Sequence, residues 1–152
     1  MIPERHVARG DEHQRMLAKQ DAGVSFFVSQ ILYDANGAKD LLADYADECE
    51  ARGTAPKPVV FTLSVCGSPK TLLFLDWLGV RVPHWMQRDL RRAENTLDAS
   101  LELATAIAAD IVAYGRQVGV PVGLNVESVS SRRVEIEAAV TLAHDLRPLL
   151  RR

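Results

Sequence analysis

Residues 21–34 read DAGVSFFVSQILYD. Between Gly23 and Asp34 the apolar run is nearly continuous, with Phe26 and Phe27 set among β-branched residues. A run of this kind, rather than strict alternation, suits a parallel strand covered on both faces. It predicts a strand over about Val24–Leu32 and leaves Gln30 as a polar amide near its carboxyl end.

Working outward, the spacing predicts a helix over about Asp11–Ala22, with Asp11 as N-cap and Gly23 just past its end. Upstream, Ile2-Pro3 reads as the end of a strand entering a loop, which suggests that material precedes Met1. Downstream, Leu41, Leu42, Tyr45 and Cys49 share one face of a helix over about Gly37–Arg52. A second strand is expected at Pro58–Val65. Ser68-Pro69 is a helix start, a hydroxyl cap followed by Pro, and that helix stops at Gly79. A short helix after Pro83 carries Trp85, Met86 and Leu90. A long helix follows over about Leu97–Val118, with Leu101, Ala104, Ala108, Ile111 and Val112 as its apolar stripe. A third strand at Val122–Ser128 leads to a last helix over Arg132–Leu150. There Ile136, Val140, Ala143 and Leu146 are expected to face the core, and Pro148 to distort the final turn.

Strands alternating with helices imply right-handed βαβ units and a parallel sheet. Three strands and a strand end are too few for a complete barrel, which needs about 250 residues. The expected fold is therefore α/β, with parallel βα units forming about half of a TIM (β/α)8 barrel. All of residues 1–152 are expected to form one domain, the C-terminal half of that barrel, truncated at its N-terminus. A half barrel leaves bare sheet edges, which points to a homo-oligomer or to a missing N-terminal half-barrel.

The composition is 47% apolar and 25% charged, as in ordinary globular proteins. A net charge of -2 lacks the basic excess of a nucleic-acid binder. No apolar run has the length of a membrane span and no signal peptide opens the chain, so a cytoplasmic location is expected. Cys49 and Cys66 stand apart, without CxxC spacing, and are expected to be reduced. His6, His13, His84 and His144 form no HxxxH or HxH pair, so no metal site is expected.

In a parallel barrel, functional side chains sit at the carboxyl ends of the strands. That rule selects Pro3 to His6, Ser29-Gln30, Ser64 to Gly67, and Glu127-Ser128. No Ser-His-Asp order, phosphate loop or GxGxxG fingerprint is present. Glu127 reads either as a site carboxylate or as a partner of Arg132 or Arg133. Trp77 and Trp85 read as packing residues. Arg88, Arg91 and Arg92 read as a solvated face, and Arg147, Arg151 and Arg152 as a basic helix end.

The stretches IPERH (2–6) and AKQDAGVSFFVSQILYD (18–34), followed in order by LGVRVPHWM (78–86), resemble the second half of the methylenetetrahydrofolate reductase barrel. The likeness runs over essentially the whole chain. It implies an FAD-dependent oxidoreductase of one-carbon metabolism and methionine biosynthesis. In that family NAD(P)H reduces the flavin, which reduces 5,10-methylenetetrahydrofolate to 5-methyltetrahydrofolate. The flavin carries the hydride, and a general acid assists ring opening.

The resemblance implies that Gln30 contacts the folate pterin, whose edge offers both donors and acceptors to a carboxamide. The ordinary alternative is a strand-end amide bonded to backbone. Lys70 stands where some members carry a substrate-contacting Gln, and Arg132 corresponds to a substrate-binding Arg. For FAD, the resemblance implies His6, Glu12, Arg15 and Lys19, with the Lys19 ammonium suited to a pyrophosphate; Ile2 replaces a frequent Tyr. The family's general-acid Glu and a folate-binding Asp lie upstream of this chain, so the isolated chain is expected to be inactive. The alternative is a non-catalytic or split half-barrel that binds flavin or folate, or completes a barrel with another chain. No motif distinguishes NADH from NADPH.

Overall fold

The computed structural model describes residues 1–151. Arg152, expected to contribute to the basic helix end, lies outside the described residues. The elements run α1 (Pro3–Arg9), α2 (Glu12–Asp21), β1 (Phe27–Ile31), α3 (Ala35–Ala51), β2 (Val59–Ser64), α4 (Pro69–Trp77), α5 (His84–Arg92), α6 (Thr96–Gln117), β3 (Val122–Glu127) and α7 (Arg133–Leu146), ending in a 3-10 turn over Arg147–Leu150. The helix stop signals act as expected. Gly79 and Gly119 take φ of 78° and 73°, left-handed values that Cβ-bearing residues resist.

The three strands form one parallel sheet in the order β1-β2-β3. This corrects the expected half of a TIM barrel. The described residues form a small open sheet of three strands accompanied by seven α-helices, not a run of single βα repeats. The connection from β2 to β3 alone carries α4, α5 and α6. Alternation of strands and helices specifies parallel pairing, but closing a barrel also needs matched strand number, tilt and stagger.

Met1 adds one rung beside β1: its nitrogen donates to the Val28 carbonyl at 2.7 Å, and its carbonyl accepts from the Gln30 amide at 3.0 Å. The strand end expected at Ile2-Pro3 is thus a single rung. The expected loop after it is α1, which starts with Pro at N1 and ends at Gly10.

Connections between successive parallel neighbours are right-handed, so both crossovers return on the same side of the sheet. That face is apolar. Phe27 of β1, Val59, Phe61 and Leu63 of β2, and Ile107 and Ile111 of α6 join the buried core. Tyr45 of α3 meets Phe27 edge-on with ring centroids 5.9 Å apart. The other face is partly open: Val28 is 43% exposed. The apolar stripes expected on α3 and α6 face the core. On α7 the expected stripe is rotated. Ile136, Val140 and Ala143 are exposed, whereas Ala138, Ala139, Leu142 and Leu146 are buried. Glu135 is also buried, because its partners lie inward, and it turns the helix. Trp77 and Trp85 are exposed rather than packed inside; Trp77 stacks on Phe74 at 5.6 Å.

Helix α6 approaches β3 at Gly115, where an added Cβ would stand 2.3 Å from Val122 Cγ2 and 3.0 Å from the Val120 carbonyl. In an open helix, Gly→Ala gains roughly 1 kcal/mol. Here Gly115→Ala is expected to destabilise by about 1–3 kcal/mol through overpacking. Urea unfolding of Gly115→Ala, Val122→Ala and the double variant checks this. The double variant should be more stable than the sum of the single losses.

Candidate functional site

The carboxyl end of β1 contains an irregularity that bears on Gln30. Phe27 pairs with Val59 and Val28 with Val60, but Ile31 pairs with Thr62. Ser29 and Gln30 therefore oppose Phe61 alone, which is a β-bulge. Its polar groups are satisfied locally. The Ser29 hydroxyl accepts from the Thr62 amide at 2.9 Å and donates to the Gln30 carbonyl at 2.6 Å. The Thr62 hydroxyl donates to the Ser29 carbonyl at 2.9 Å. A bulge re-aims the side chains it carries. The Gln30 side chain is half-buried and reaches α4, donating to the Leu78 carbonyl over a long 3.4 Å.

The segments after β2 and β3 are tied together by Glu135, which is fully buried. Its carboxylate accepts from the Gly67 amide at 3.2 Å and from the Thr71 hydroxyl at 3.0 Å, and lies 3.2 Å from Arg132 Nη1. Three elements meet at one carboxylate: the β2–α4 loop, the first turn of α4, and the start of α7. Only glycine fits at position 67, because a Cβ there would stand 2.6 Å from Glu135 Cγ. The Ser68 hydroxyl caps α4 as expected, accepting from the Thr71 amide at 3.2 Å.

Between these segments opens a cleft of about 720 Å3, lined by Ser68, Lys70, Thr71, Phe74, Ser130 and Arg132 among others. Its size suits a small organic ligand. Lys70 and Arg132, distant in sequence, line the same cleft. Gln30 is not among its lining residues and touches the residue just past the far end of α4. Glu127 pairs with neither Arg132 nor Arg133. It accepts from Asn125 Nδ2 at 2.8 Å, while Arg132 pairs with Glu135 and Arg133 with Glu137. The nearby Cys66 thiol is pushed up to about 11 by burial, which makes it a poor nucleophile.

The four residues expected to hold FAD lie away from this cleft. Glu12 is buried and engaged: it accepts from the Ile2 amide at 3.1 Å and lies 3.4 Å from Arg5 Nε and 3.9 Å from Arg15 Nε. His6 is buried against α3, with Nε2 3.0 Å from Asp44 Oδ2. Arg15 and Lys19 are exposed on α2. None of the four lines the large cleft.

Sequence spacing did not single out Glu135 or the meeting of His6 and His13. A Glu in the first turn of a helix reads as an ordinary dipole partner. The two histidines come from different helices, with rings 5.3 Å apart and nearly perpendicular. Glu4 falls within the Pro3 to His6 stretch that the strand-end rule selects. Both of its carboxylate oxygens are buried without a hydrogen-bond partner. Burial holds its carboxyl above the usual range; Asp34 adds to the rise and Arg81 opposes it.

No protein-family model and no curated protein matches the chain. A solved structure does: a protein from Clostridium thermocellum described as uncharacterized and as binding two copies of 5-methyl-5,6,7,8-tetrahydrofolic acid. It superposes with a TM-score of 0.90 at 40% sequence identity, over 97% of this chain and 52% of that one. The chain thus spans about half the length of that neighbour.

Glu135→Ala would leave Gly67, Thr71 and Arg132 without their shared acceptor. A loss of roughly 3 kcal/mol is expected, as for other broken buried pairs, and is read by chemical denaturation. Glu4 sets a pH dependence. Its raised folded-state pKa stabilises the fold below the ordinary value of 4.5, and that contribution is lost as pH rises through the folded value. Glu4→Gln should therefore raise the thermal midpoint relative to the parent at pH 7, and the gap should shrink below pH 4.5. Thermal melts across that range check the sign.

Proposed function

We propose that this chain binds a reduced folate of the 5-methyltetrahydrofolate class in the cleft between α4 and the β3–α7 loop. The observation that carries the reading is the structural neighbour, which holds that ligand and is 40% identical over nearly all of this chain. The chemistry of the cleft agrees. The glutamate tail of a folate carries two carboxylates, and Lys70 and Arg132 offer two cations. The aminobenzoyl ring is aromatic, and Phe74 offers a face for stacking. The pterin presents donors and acceptors, which suits the Gln30 carboxamide aimed by the bulge. Lys70 and Leu78, whose carbonyl holds Gln30, lie about 12 Å apart along the helix. An elongated ligand with a pterin at one end and a glutamate at the other matches that layout.

Binding, rather than hydride transfer, is the function proposed for this chain. The support for it is the ligand of the structural neighbour.

Titration calorimetry with 5-methyltetrahydrofolate tests the reading. Lys70→Ala is expected to weaken binding about tenfold, corresponding to ~1.4 kcal/mol. A reduced pterin without the glutamate tail should bind equally well to the parent and to Lys70→Ala, while Gln30→Ala weakens both ligands. Loss of tail-free pterin binding in Lys70→Ala, or unchanged folate binding in both variants, would overturn the assignment.

A further inference from the structure

We infer that His6, His13 and Asp44 form a binding site for a divalent transition-metal ion of the zinc class, separate from the folate cleft. The three residues come from α1, α2 and α3, and one potential ligand atom from each lies within 4.8 Å of the others. His6 is 95% buried by its 5% exposure, and His13 is half-buried. Each has a ring nitrogen, Nδ1, that is buried without any hydrogen-bond partner. An orphaned buried polar atom costs about 1–3 kcal/mol. Ligation of an ion through His13 Nδ1 offsets that cost for His13, while His6 faces Asp44 through Nε2.

The donor set decides the class of ion. Two neutral imidazoles and one carboxylate suit Zn2+, Co2+ or Ni2+ better than Mg2+ or Ca2+, which favour all-oxygen shells. Two donors bound at about 2.1 Å to one ion, with an angle between square and tetrahedral, stand roughly 3.0–3.4 Å apart. His6 Nε2 and Asp44 Oδ2 are already 3.0 Å apart. The His13 ring lies edge-on to His6 and completes the set by side-chain rotation. Asp44 is 53% exposed, which leaves the ion an entry path and room for water as a fourth ligand.

The site also has a mechanical consequence. Helices α1 and α2 pack on α3, and Gly37 of α3 admits α1 where an added Cβ would stand 2.5 Å from Val7 Cγ2. An ion shared by the three helices clamps that corner and stabilises the folded chain through linkage.

Titration calorimetry of the metal-stripped full chain with Zn2+, together with Co2+ absorption spectra, tests the inference. Saturable one-to-one binding is expected, with a Co2+ spectrum showing nitrogen and oxygen ligation and an upward shift of the thermal midpoint. His13→Gln and Asp44→Asn should each weaken binding at least tenfold and abolish the midpoint shift, whereas His84→Gln should leave both unchanged. His13 and Asp44 are only partly buried, so these variants are expected to fold, and circular dichroism verifies it. The inference is overturned by Zn2+ affinity that is unchanged in both variants, or by the absence of saturable binding to the folded parent.

Discussion

The buried carboxylate of Glu135 is the constraint on which the candidate cleft depends. It accepts from a backbone amide and a hydroxyl and pairs with Arg132, whose guanidinium remains partly in water. A buried carboxylate is tolerable only with such partners. Because they come from three different segments, satisfying one charge also sets the spacing between the β2–α4 loop and α7. Gly67 is part of the same constraint, since any side chain there would occupy the space of Glu135. The walls of the cleft are thus tied by one shared polar centre, beside the apolar packing of Leu72 and Leu75 of α4 and of Ala138 and Leu142 of α7. This also explains why the inward face of α7 differs from the one its apolar residues suggest.

A second arrangement aims rather than holds. Strand β1 gains a residue opposite Phe61, and the bulge is closed by the Ser29 and Thr62 hydroxyls. Burial alternates along the strand from Phe27 to Ile31, so that Gln30, like Val28, is more open than its neighbours. The bulge and the Glu135 network meet through α4. Its first turn binds Glu135, and the carbonyl just past its last turn receives Gln30. The helix therefore couples the amide expected to contact a ligand with the cations expected to hold its tail. The structural likeness is to a protein described as binding 5-methyltetrahydrofolate; it runs over nearly the whole of this chain and about half of that neighbour.

Much of the secondary structure was legible. The three strands, the Ser68 cap and the stops at Gly79 and Gly119 follow from local rules, because apolar runs, caps and glycines act over a few residues. Helix α1 carried its own signals, Pro3 at the start and Gly10 at the end, but short helices compete poorly with a loop reading. The half-barrel expectation failed for another reason. Parallel pairing is encoded in each strand, whereas the number of helices in a crossover and the closure of a sheet are properties of the whole assembly. Similarly, Lys70 and Arg132 could be named individually from the resemblance, but their shared cleft could not be read from a separation of some sixty positions. Of the residues the resemblance implies for flavin, His6 neighbours Asp44 and Glu12 accepts from the Ile2 amide, contacts between helices that spacing did not show.

The sequence by itself determined the parallel strands, their apolar face, the helix ends, and the residue types available for a polar ligand. These depend on periodicity and on φ preferences, which are local. Only the tertiary structure decided the bulge that aims Gln30, the burial of Glu135, the common cleft of Lys70 and Arg132, and the meeting of His6 with His13 and Asp44. Each of these is a contact between segments that the chain's own order keeps apart, and each is settled by which polar groups must find partners once the apolar faces have closed.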